Sequence, residues 1–584
     1  MTLRSFSEST LGVIAVYFAL AVFFTWPLVP SMTSHLPHGS NDIWQNLWNF
    51  WWWREALVEL GQNPYSTDFL FHPHGASLAL HTHSSFNQLA AFPINLLLGP
   101  IAALNFATLL GFVLSGIAAH QLAYEIHRDR AGAYLAGFIF AFFPHHLEQS
   151  LEHLNLSSLQ FLPWVALYGL RIVRGGTLRD ACLFGIVFAL NALSCWHYAL
   201  FTLFVLPWIW GVELIRASDP RPLVQNAVKR LLVSGAIVTV VMAPFAISML
   251  SEAGSFVSYA KAPVDRGSDL AFLFVPSDHH PVLGALTESY YRGHRAYPAL
   301  GSQAYLGYGV LILAALALVR RGDKRSLITW CLIFSSSLIL ALGAHPTFGG
   351  QTLGISLPHA VFEQIPLLKS LRVANRFIVL SMLALAVLAS IGFSALRKER
   401  RRAAISIFAL IGFEFLWLPY PMQRVDFSPI LDLLADEAPG AILDIPFSDN
   451  STAALNLAYQ TRHQRPIAGG YISVGPHGAA ALENDPVLFQ LSGLAPVPPE
   501  QIDVDHLRSL GFSHVVLHKD RTQQAMAAKL EQLPPSANFY QRRQYEQMPG
   551  MPREILELIS HRFESELGRP SHEDARVRVF DLLR

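Results

Sequence analysis

Long apolar runs separated by shorter polar connections fill the chain from its start to about residue 420. A helix needs about 20 mostly apolar residues to cross the hydrocarbon core of a bilayer. Runs that approach this length lie near residues 10–29, 88–124, 131–147, 155–173, 181–195, 198–215, 231–250, 304–320, 326–343, 377–396 and 403–420. The pattern therefore predicts a polytopic α-helical membrane protein with about eleven transmembrane helices.

The stretch HGSNDIWQNLWNFWWWREAL (residues 38–57) follows the first apolar run and has a different pattern. Its apolar positions recur at helical spacing and form one face, made of Trp44, Leu47, Trp48, Trp51 and Trp52. Its polar positions form a second face, made of Asp42, Gln45, Asn46 and Asn49. Indole rings favour the boundary between membrane and water. We therefore predict a short amphipathic helix that lies flat in this interface and begins near Asp42.

Residues 421–584 lack long apolar runs and carry signals of short strands and helices instead. GAILDIPF (440–447) is typical of a buried strand, and HLRSLGFSHVVLHKD (506–520) indicates a helix, a glycine turn and a strand. VRVFDLL, near the end of the chain, predicts a last strand. We predict two domains, a transmembrane domain at 1–420 and a small α/β domain at 421–584. The second domain has no G-x-G-x-x-G or P-loop pattern, so no nucleotide site is expected there.

Composition supports a membrane protein and narrows the classes of partner. Hydrophobic residues make up 52% of the chain and charged residues 14%, whereas a soluble domain carries about 25% charge. The formal net charge is +0, so no broad basic surface points to nucleic acid. The three cysteines, Cys182, Cys195 and Cys331, all fall in apolar runs, which favours packing over a disulfide or metal set.

The distribution of lysine and arginine predicts the orientation in the membrane. Basic residues are concentrated in alternate connections, beginning with the N-terminus, and these connections are short. The positive-inside rule therefore places the N-terminus in the cytoplasm. An odd number of spans then places residues 421–584 outside, together with the long loops at 31–87, 251–303 and 344–376. A substrate site is expected on this outer face.

Asp42 is the first candidate for chemistry on the outer face. One interpretation is structural: Asn41 or Asp42 caps the helix, and Gln45 completes a capping box. The other is functional: the carboxylate serves as a general base or a metal ligand at the positive end of the helix. The two interpretations are compatible, and the sequence leaves both open.

The predicted second outer loop, PHHLEQSLEHLNL (144–156), packs histidines and acids between apolar helices and contains no lysine or arginine. Histidine together with carboxylate suits a divalent cation or proton transfer. The candidate metal ligands are His146, Glu148, Glu152 and His153. Solvated loop histidines are the alternative.

Polar and aromatic residues in other outer segments are candidate substrate contacts. They are Gln45 on the first loop helix, His81 and His83 in HTHSSF, Trp196, His197 and Tyr198 in LSCWHYALF, and Arg372 and Arg376 in LKSLRVANRF. Two arginines four residues apart suit an anionic head group such as phosphate, and pairing with Glu363 is the alternative. A belt of interfacial aromatic side chains is the alternative for Trp196 and Tyr198. Glu414, inside the last apolar run, is a further candidate, since acids within a membrane are functional candidates by default, and solvation near the outer end of the span is the alternative.

The order of these features resembles the C-type superfamily (GT-C fold) of integral membrane glycosyltransferases. One span is followed by an outer loop that opens on an acid (Asp42 in GSNDIWQNLW), an amphipathic helix, many spans and an extracytoplasmic C-terminal domain. The superfamily includes protein mannosyltransferases, aminoarabinose lipid A transferases and oligosaccharyltransferases. NPYSTDFLFHPHGASLALHT, SDLAFLFVPSDHHP, AYLGYGVLILA, LRVANRF and AILDIPF with IAGGYIS also resemble poorly characterised bacterial members of this fold.

The resemblance implies a sugar donor linked to a polyprenyl phosphate and a lipid, glycan or protein acceptor, used on the outer face of a bacterial inner membrane. Asp42 would deprotonate the acceptor or hold a metal, and Glu148 or Glu152 would match the acid of the second loop. Arg372 and Arg376 would hold the leaving phosphate. A divalent metal ion is an implied cofactor, although the first loop lacks an Asp-Glu pair and the second lacks Asp-x-Asp.

Two other classes of function remain open from the sequence. A non-catalytic protein of envelope-polysaccharide assembly would use residues 421–584 as a docking module and would tolerate loss of Asp42. A lipid or sugar transporter would favour charged residues at mid-span and two related halves. The sequence shows neither of these transporter features.

Overall fold

The structure of the chain is a computed structural model. It describes residues 10–39, 41–251, 267–294, 303–320, 323–365, 368–447, 450–473, 485–492, 501–532 and 550–584.

Helices make up most of the described chain up to residue 414, and each of the eleven predicted apolar stretches contains helix. In order they are α1 (Thr10–Phe24), α2 (Asp42–Arg54), α3 (Ser85–His127), α4 (Arg130–Phe142), α5 (Pro144–Ser150), α6 (Phe161–Val173), α7 (Leu178–Ser194), α8 (Trp196–Phe201), α9 (Leu206–Ile215), α10 (Arg221–Ser251), α11 (Gly284–His294), α12 (Tyr308–Val319), α13 (Lys324–Ala341), α14 (Ile378–Glu399) and α15 (Arg401–Glu414).

Five of the helical segments in the described chain are long and apolar enough to cross a membrane, judged by length and composition. They are Ser85–His127, Trp196–Ile215, Arg221–Ile247, Lys324–Ala341 and Ala374–Glu399. Four shorter helices, α1, α4, α6 and α12, are also apolar. The chain is therefore an integral membrane protein, as its composition predicts.

Helix α14 lies at the centre of the bundle and packs against α4, α12 and α13. It is apolar around its whole circumference, which is the pattern of a helix enclosed by other helices. Its small residues permit close approach: a Cβ at Gly392 would overlap the Leu313 carbonyl oxygen of α12. A hydrogen bond of 2.8 Å between the Ser381 and Ser337 hydroxyls also joins α14 to α13. Helix α14 begins two residues after Arg376, one of the predicted site residues.

The acid inside the last apolar run has a structural role. The Glu414 carboxylate accepts hydrogen bonds from the Tyr305 hydroxyl at 2.8 Å and from the backbone N–H groups of Tyr308 and Gly309 at 2.9 and 3.0 Å. These N–H groups belong to the first turn of α12, where a helix has no internal acceptors. Glu414 therefore fixes α15 to the start of α12, and its position does not indicate substrate binding.

The strands are short except in the C-terminal part. They are β1 (His35–Pro37), β2 (Ser66–Thr67), β3 (Ala76–Ser77), β4 (Thr347–Phe348), β5 (Gln351–Thr352), β6 (Met422–Arg424), β7 (Ala441–Ile445), β8 (Phe512–His518), β9 (His572–Glu573) and β10 (Val577–Asp581). One sheet has the order β7-β8-β10-β9, with β7 parallel to β8 and the other pairs antiparallel. The three stretches that predict strands in the sequence supply β7, β8 and β10.

Helices pack around this sheet and connect it to the membrane bundle. They are α16 (Ile430–Leu433), α17 (Asn450–His463), α18 (Pro486–Leu491), α19 (Val504–Ser509), α20 (Gln523–Glu531) and α21 (Arg553–Leu567). Strand β6 pairs antiparallel with β1, so the segment just after residue 420 is hydrogen-bonded to the first loop. Helix α17 packs against α2. The C-terminal part therefore contacts the first loop at several points.

The helix α2 is confirmed, but the prediction that its tryptophan face meets the membrane interface is wrong. Every residue from Ile43 to Trp53 is buried. Trp48 stacks on Trp52 with ring centroids 5.7 Å apart and planes at 6°, and the Trp48 indole donates to Gln460 Oε1 at 2.6 Å. These rings share a hydrophobic cluster with Leu443 of the C-terminal sheet. The C-terminal part covers the apolar face that the sequence pattern assigns to the membrane interface.

Candidate functional site

The Asp42 carboxylate lies at the start of α2 and receives donors from two distant parts of the chain. The Tyr471 hydroxyl donates to Asp42 Oδ1 at 2.7 Å, and His153 Nε2 lies 3.1 Å from Asp42 Oδ2. The side chain remains 28% exposed. The capping-box interpretation fails, because the Asn41 side chain makes no capping hydrogen bond and the Gln45 amide donates to the Tyr471 carbonyl at 2.8 Å.

His153 connects Asp42 to a second, deeply buried carboxylate. His153 Nδ1 lies 3.4 Å from Glu152 Oε1, and only 1% of the Glu152 side chain is exposed. The two nitrogens of an imidazole point in different directions, so the two carboxylates lie on different sides of the ring. Asp42, His153 and Glu152 therefore form a line with the imidazole in the middle.

The charges along this line favour an ionised Asp42. Burial alone would raise the pKa of Asp42, but the hydrogen bond and positive charge of His153 lower it. The Tyr471 hydroxyl and the Arg376 guanidinium lower it further, so the pKa of Asp42 lies below its ordinary value. Burial would lower the pKa of His153, but the Glu152 charge and the bond to Asp42 outweigh this and raise the pKa. The pair therefore favours a carboxylate beside an imidazolium.

The four predicted metal ligands do not assemble into a metal site. His146 places both ring nitrogens on backbone carbonyls, Ala141 O at 2.7 Å and Ser157 O at 2.8 Å, so neither nitrogen points at an acid. The other three do not converge on one point. Glu148 Oε2 lies 3.4 Å from the Gln303 nitrogen, and Asp42 and Glu152 contact different ring nitrogens of His153. Across the described residues, no group of three or more His, Cys, Asp or Glu side chains could hold a metal ion. The residues present do not fit the implied metal.

His81 and Gln45 border the Asp42 site. His81 Nδ1 accepts from the Ser473 N–H at 3.3 Å and Nε2 donates to Asn49 Oδ1 at 2.9 Å, which fixes a neutral tautomer. Burial lowers the pKa of His81 to about 3, against the opposing charge of Asp42. The Thr82 hydroxyl connects Gln45 Oε1 at 3.2 Å to the Ser473 hydroxyl at 3.1 Å. This wall of the site is polar and carries no charge.

His83 packs against aromatic rings of the first loop. The Trp53 indole donates to His83 Nδ1 at 3.2 Å, and the Tyr65 ring packs edge-on at 5.0 Å between centroids. Burial lowers the pKa of His83 well below its ordinary value, which keeps the ring neutral. His83 Nε2 is buried and has no hydrogen-bond partner within the described residues, so a substrate contact of His83 stays a prediction.

Arg376 is a cation of the membrane bundle whose charge acts on the Asp42 site. It lies in the turn Ala374–Phe377 that leads into α14, and its charge acts on both Asp42 and His153. Arg376 Nη1 also lies 3.4 Å from His197 Nε2. Arg372 acts on His197 from the preceding turn. Both predicted arginines therefore lie on one side of the site, near His197.

Trp196 and Tyr198 flank His197 but differ in their surroundings. Trp196 is 44% exposed, as expected for an aromatic ring at a membrane interface. Tyr198 is buried, and its hydroxyl donates to the Leu156 carbonyl. His197 Nε2 lies 3.1 Å from the Ser370 carbonyl oxygen. This hydrogen bond connects His197 to the segment just before Arg372. Of these three residues, His197 is the one in contact with the arginine side of the site.

The sequence missed Tyr471, Ser473 and Thr82. Tyr471 and Ser473 belong to IAGGYIS (467–473), in the part of the chain predicted to be a separate domain. The one local signal is the glycine pair before the tyrosine. A Cβ at Gly470 would lie 2.7 Å from the Phe71 ring, so the segment passes against the first loop at a distance that only glycine permits.

Comparison with solved structures identifies the class of fold. The oligosaccharyltransferase AglB from Archaeoglobus fulgidus, in complex with an inhibitory peptide and a dolichol-phosphate, aligns at TM-score 0.52 and 13% identity over 89% of this chain and 70% of its own. The mycobacterial arabinofuranosyltransferase AftD aligns at TM-score 0.56 and 16% identity over 100% of this chain and 42% of its own. The chain therefore has the GT-C fold.

Sequence comparison then identifies the family. The family model described as "Domain of unknown function (DUF6311)" matches residues 12–413, and the chain belongs to that family. No curated protein matches the chain by sequence. The matched range includes Asp42, His153 and Arg376 and ends before Tyr471.

Proposed function

We propose that the chain is a membrane glycosyltransferase that moves a sugar from a polyprenyl-phosphate-linked donor to an acceptor on the outer face of the membrane. One observation carries this proposal. A partly exposed carboxylate, Asp42, is held by His153 and Tyr471, and the charge of Arg376, in the turn before a membrane helix, helps to lower its pKa. A base for an acceptor hydroxyl and a cation for a lipid phosphate are the two groups that this transfer needs.

The reaction follows from these positions. Asp42 takes the proton of the acceptor hydroxyl as the acceptor oxygen attacks the anomeric carbon. The bond from that carbon to the phosphate oxygen breaks, and the polyprenyl phosphate leaves with the electron pair. Arg376, with Arg372 beside it, stabilises the negative charge that develops on this phosphate. His153 holds the carboxylate in one orientation, and the Glu152 charge favours the protonated form of His153.

Similar structures support the choice of donor class. AglB was determined with a dolichol-phosphate, so this fold holds a lipid phosphate in that protein. In the present chain, Arg372 and Arg376 lie just before the apolar helix α14. A phosphate anchored by its lipid tail would meet both arginines at the membrane surface.

The proposed reaction requires a particular arrangement in the membrane. We place all eleven apolar segments across the bilayer as one transmembrane domain, residues 1–420, with the shorter helices extended by their apolar flanks. The N-terminus is cytoplasmic, and residues 421–584 form an extracytoplasmic α/β domain. The host membrane is the inner membrane of a bacterium. The acceptor is a lipid, a glycan or a protein in the cell envelope.

The test compares wild type with Asp42→Asn on a panel of polyprenyl-phosphate sugars, using protein purified into lipid nanodiscs. Loss of a general base lowers turnover by about 100- to 10,000-fold. Asp426→Asn is the matched control, because Asp426 is a surface acid paired with Arg576 at 2.7 Å. Equal turnover in wild type and Asp42→Asn contradicts the role of Asp42. Absence of donor binding and turnover across the panel favours the assembly-protein interpretation instead.

A further inference from the structure

The Tyr471 hydroxyl lies at the distance from Asp42 that the proposed reaction requires of an acceptor hydroxyl. A general base has to lie about 2.6–3.2 Å from the oxygen whose proton it removes. The Tyr471 hydroxyl lies 2.7 Å from Asp42 Oδ1 and donates its proton to it, as an acceptor alcohol would. His153 occupies the other carboxylate oxygen at 3.1 Å. Both oxygens of the proposed base therefore already have a protein donor.

We propose that Tyr471 is a stand-in for the acceptor: it satisfies Asp42 until a true acceptor displaces it, and so keeps water from being activated at the base. This inference rests on the proposed function. It assigns IAGGYIS (467–473), in the C-terminal part of the chain, to the acceptor side of the active site. It also makes Tyr471 a specificity-determining residue, because only a hydroxyl that competes with the phenol reaches the base.

The contacts around Asp42 indicate which of its two hydrogen-bond donors, Tyr471 or His153, an acceptor would displace. His153 has a carboxylate at each ring nitrogen, Asp42 at 3.1 Å and Glu152 at 3.4 Å, and its ring is buried. Moving it would separate an imidazolium from two acids, which is costly in a buried site. Tyr471 is partly exposed, and its backbone carbonyl is held by the Gln45 amide at 2.8 Å. Displacing Tyr471 from Asp42 therefore requires movement of its side chain only, because the bond to its carbonyl holds the backbone in place.

The exchange conserves protons and hydrogen bonds. The acceptor hydroxyl takes the place of the phenol on Asp42 Oδ1, and the phenol keeps its proton as it turns away. The acceptor proton then moves to Asp42 as the new glycosidic bond forms and the polyprenyl phosphate departs. Without an acceptor, the phenol returns to the carboxylate, and a water molecule has to displace a charge-assisted hydrogen bond to be activated.

The test is Tyr471→Phe, which removes the hydroxyl and keeps the ring. We expect donor hydrolysis in the absence of acceptor to rise about tenfold, because a hydrogen bond to a charged group no longer excludes water. We expect the KM for the acceptor to fall by about the same factor, with kcat within about threefold of wild type. Tyr308→Phe is the matched control, because the Tyr308 hydroxyl also donates at 2.7 Å, to the Phe274 carbonyl.

The outcomes separate this inference from the proposed function. An active wild type with unchanged hydrolysis and acceptor KM in Tyr471→Phe overturns the stand-in and leaves Asp42 as the base. A loss of transfer as large as in Asp42→Asn also overturns it, because Tyr471 would then take part in the chemistry. A wild type inactive on every donor overturns both. Tyr471→Leu, checked by thermal melting, is the second variant and should show the same rise in hydrolysis.

Discussion

Asp42 is held by His153 from the second outer loop and by Tyr471 from the C-terminal part, and the charge of Arg376, in the turn before α14, helps to lower its pKa. The sequence predicted Asp42 and Arg376 as site residues, because each is a charge placed against the trend of its surroundings. It proposed His153 as a metal ligand, and the structure places His153 Nε2 3.1 Å from Asp42 Oδ2. It could not predict Tyr471, since the two residues are 429 positions apart and no local pattern connects them.

His153→Gln should change how stability depends on pH. The raised pKa of His153 means that protonation stabilises the fold below about pH 6.5, and that this stabilisation is lost as the pH rises through the folded-state pKa. The thermal midpoint of wild type should therefore fall more between pH 6 and pH 9 than that of His153→Gln. His561→Gln, at an exposed histidine, is the control. Parallel curves for wild type and His153→Gln would rule out the buried imidazolium.

At the scale of the element, the periodicity of α2 predicted the helix correctly but not its surroundings. An apolar face rich in tryptophan fits a membrane interface and a protein core equally well, because hydrophobic spacing records burial and not the identity of the covering group. The C-terminal sheet and α17 supply the cover here. Glu414 is a similar case. A carboxylate within an apolar run gives the same sequence pattern whether it binds a ligand or caps a neighbouring helix.

Trp48→Ala should loosen the C-terminal part from the first loop. Trp48 is fully buried, stacks on Trp52 and donates to Gln460, so truncation leaves a large cavity and costs about 3–5 kcal/mol of unfolding free energy. We expect a lower thermal midpoint and faster proteolysis within residues 421–584. Trp26→Ala is the control, because its ring is largely exposed. Equal proteolysis of both variants and wild type would mean that α2 does not anchor the C-terminal part.

At the scale of the whole molecule, hydropathy predicted well where helices lie along the chain, because a membrane span requires a long apolar run. Hydropathy could not predict that the C-terminal part packs against the first loop, because this contact uses ordinary buried residues and the short pairing of β1 with β6. The site is built where these two parts meet. The orientation in the membrane remains a prediction from the distribution of basic residues.

Cysteine labelling tests that orientation. Asp505→Cys, at a side chain that is 91% exposed, should react with an impermeant maleimide in intact cells. Glu399→Cys, at the end of α14 and 57% exposed, should react only after permeabilisation. The parent protein is the control, because Cys182, Cys195 and Cys331 are buried or half-buried. Labelling of residue 399 but not 505 in intact cells would reverse the orientation and remove the outer-face site.

The central claim is that Asp42 acts in the chemical step and not in donor binding. The most direct measurement loads wild type and Asp42→Asn with the same polyprenyl-phosphate sugar in nanodiscs, records donor affinity, and then follows release of the polyprenyl phosphate after acceptor is added. The account predicts equal donor affinity and release at least about 100-fold slower in Asp42→Asn. Equal release rates in the two proteins, at equal donor occupancy, would contradict it.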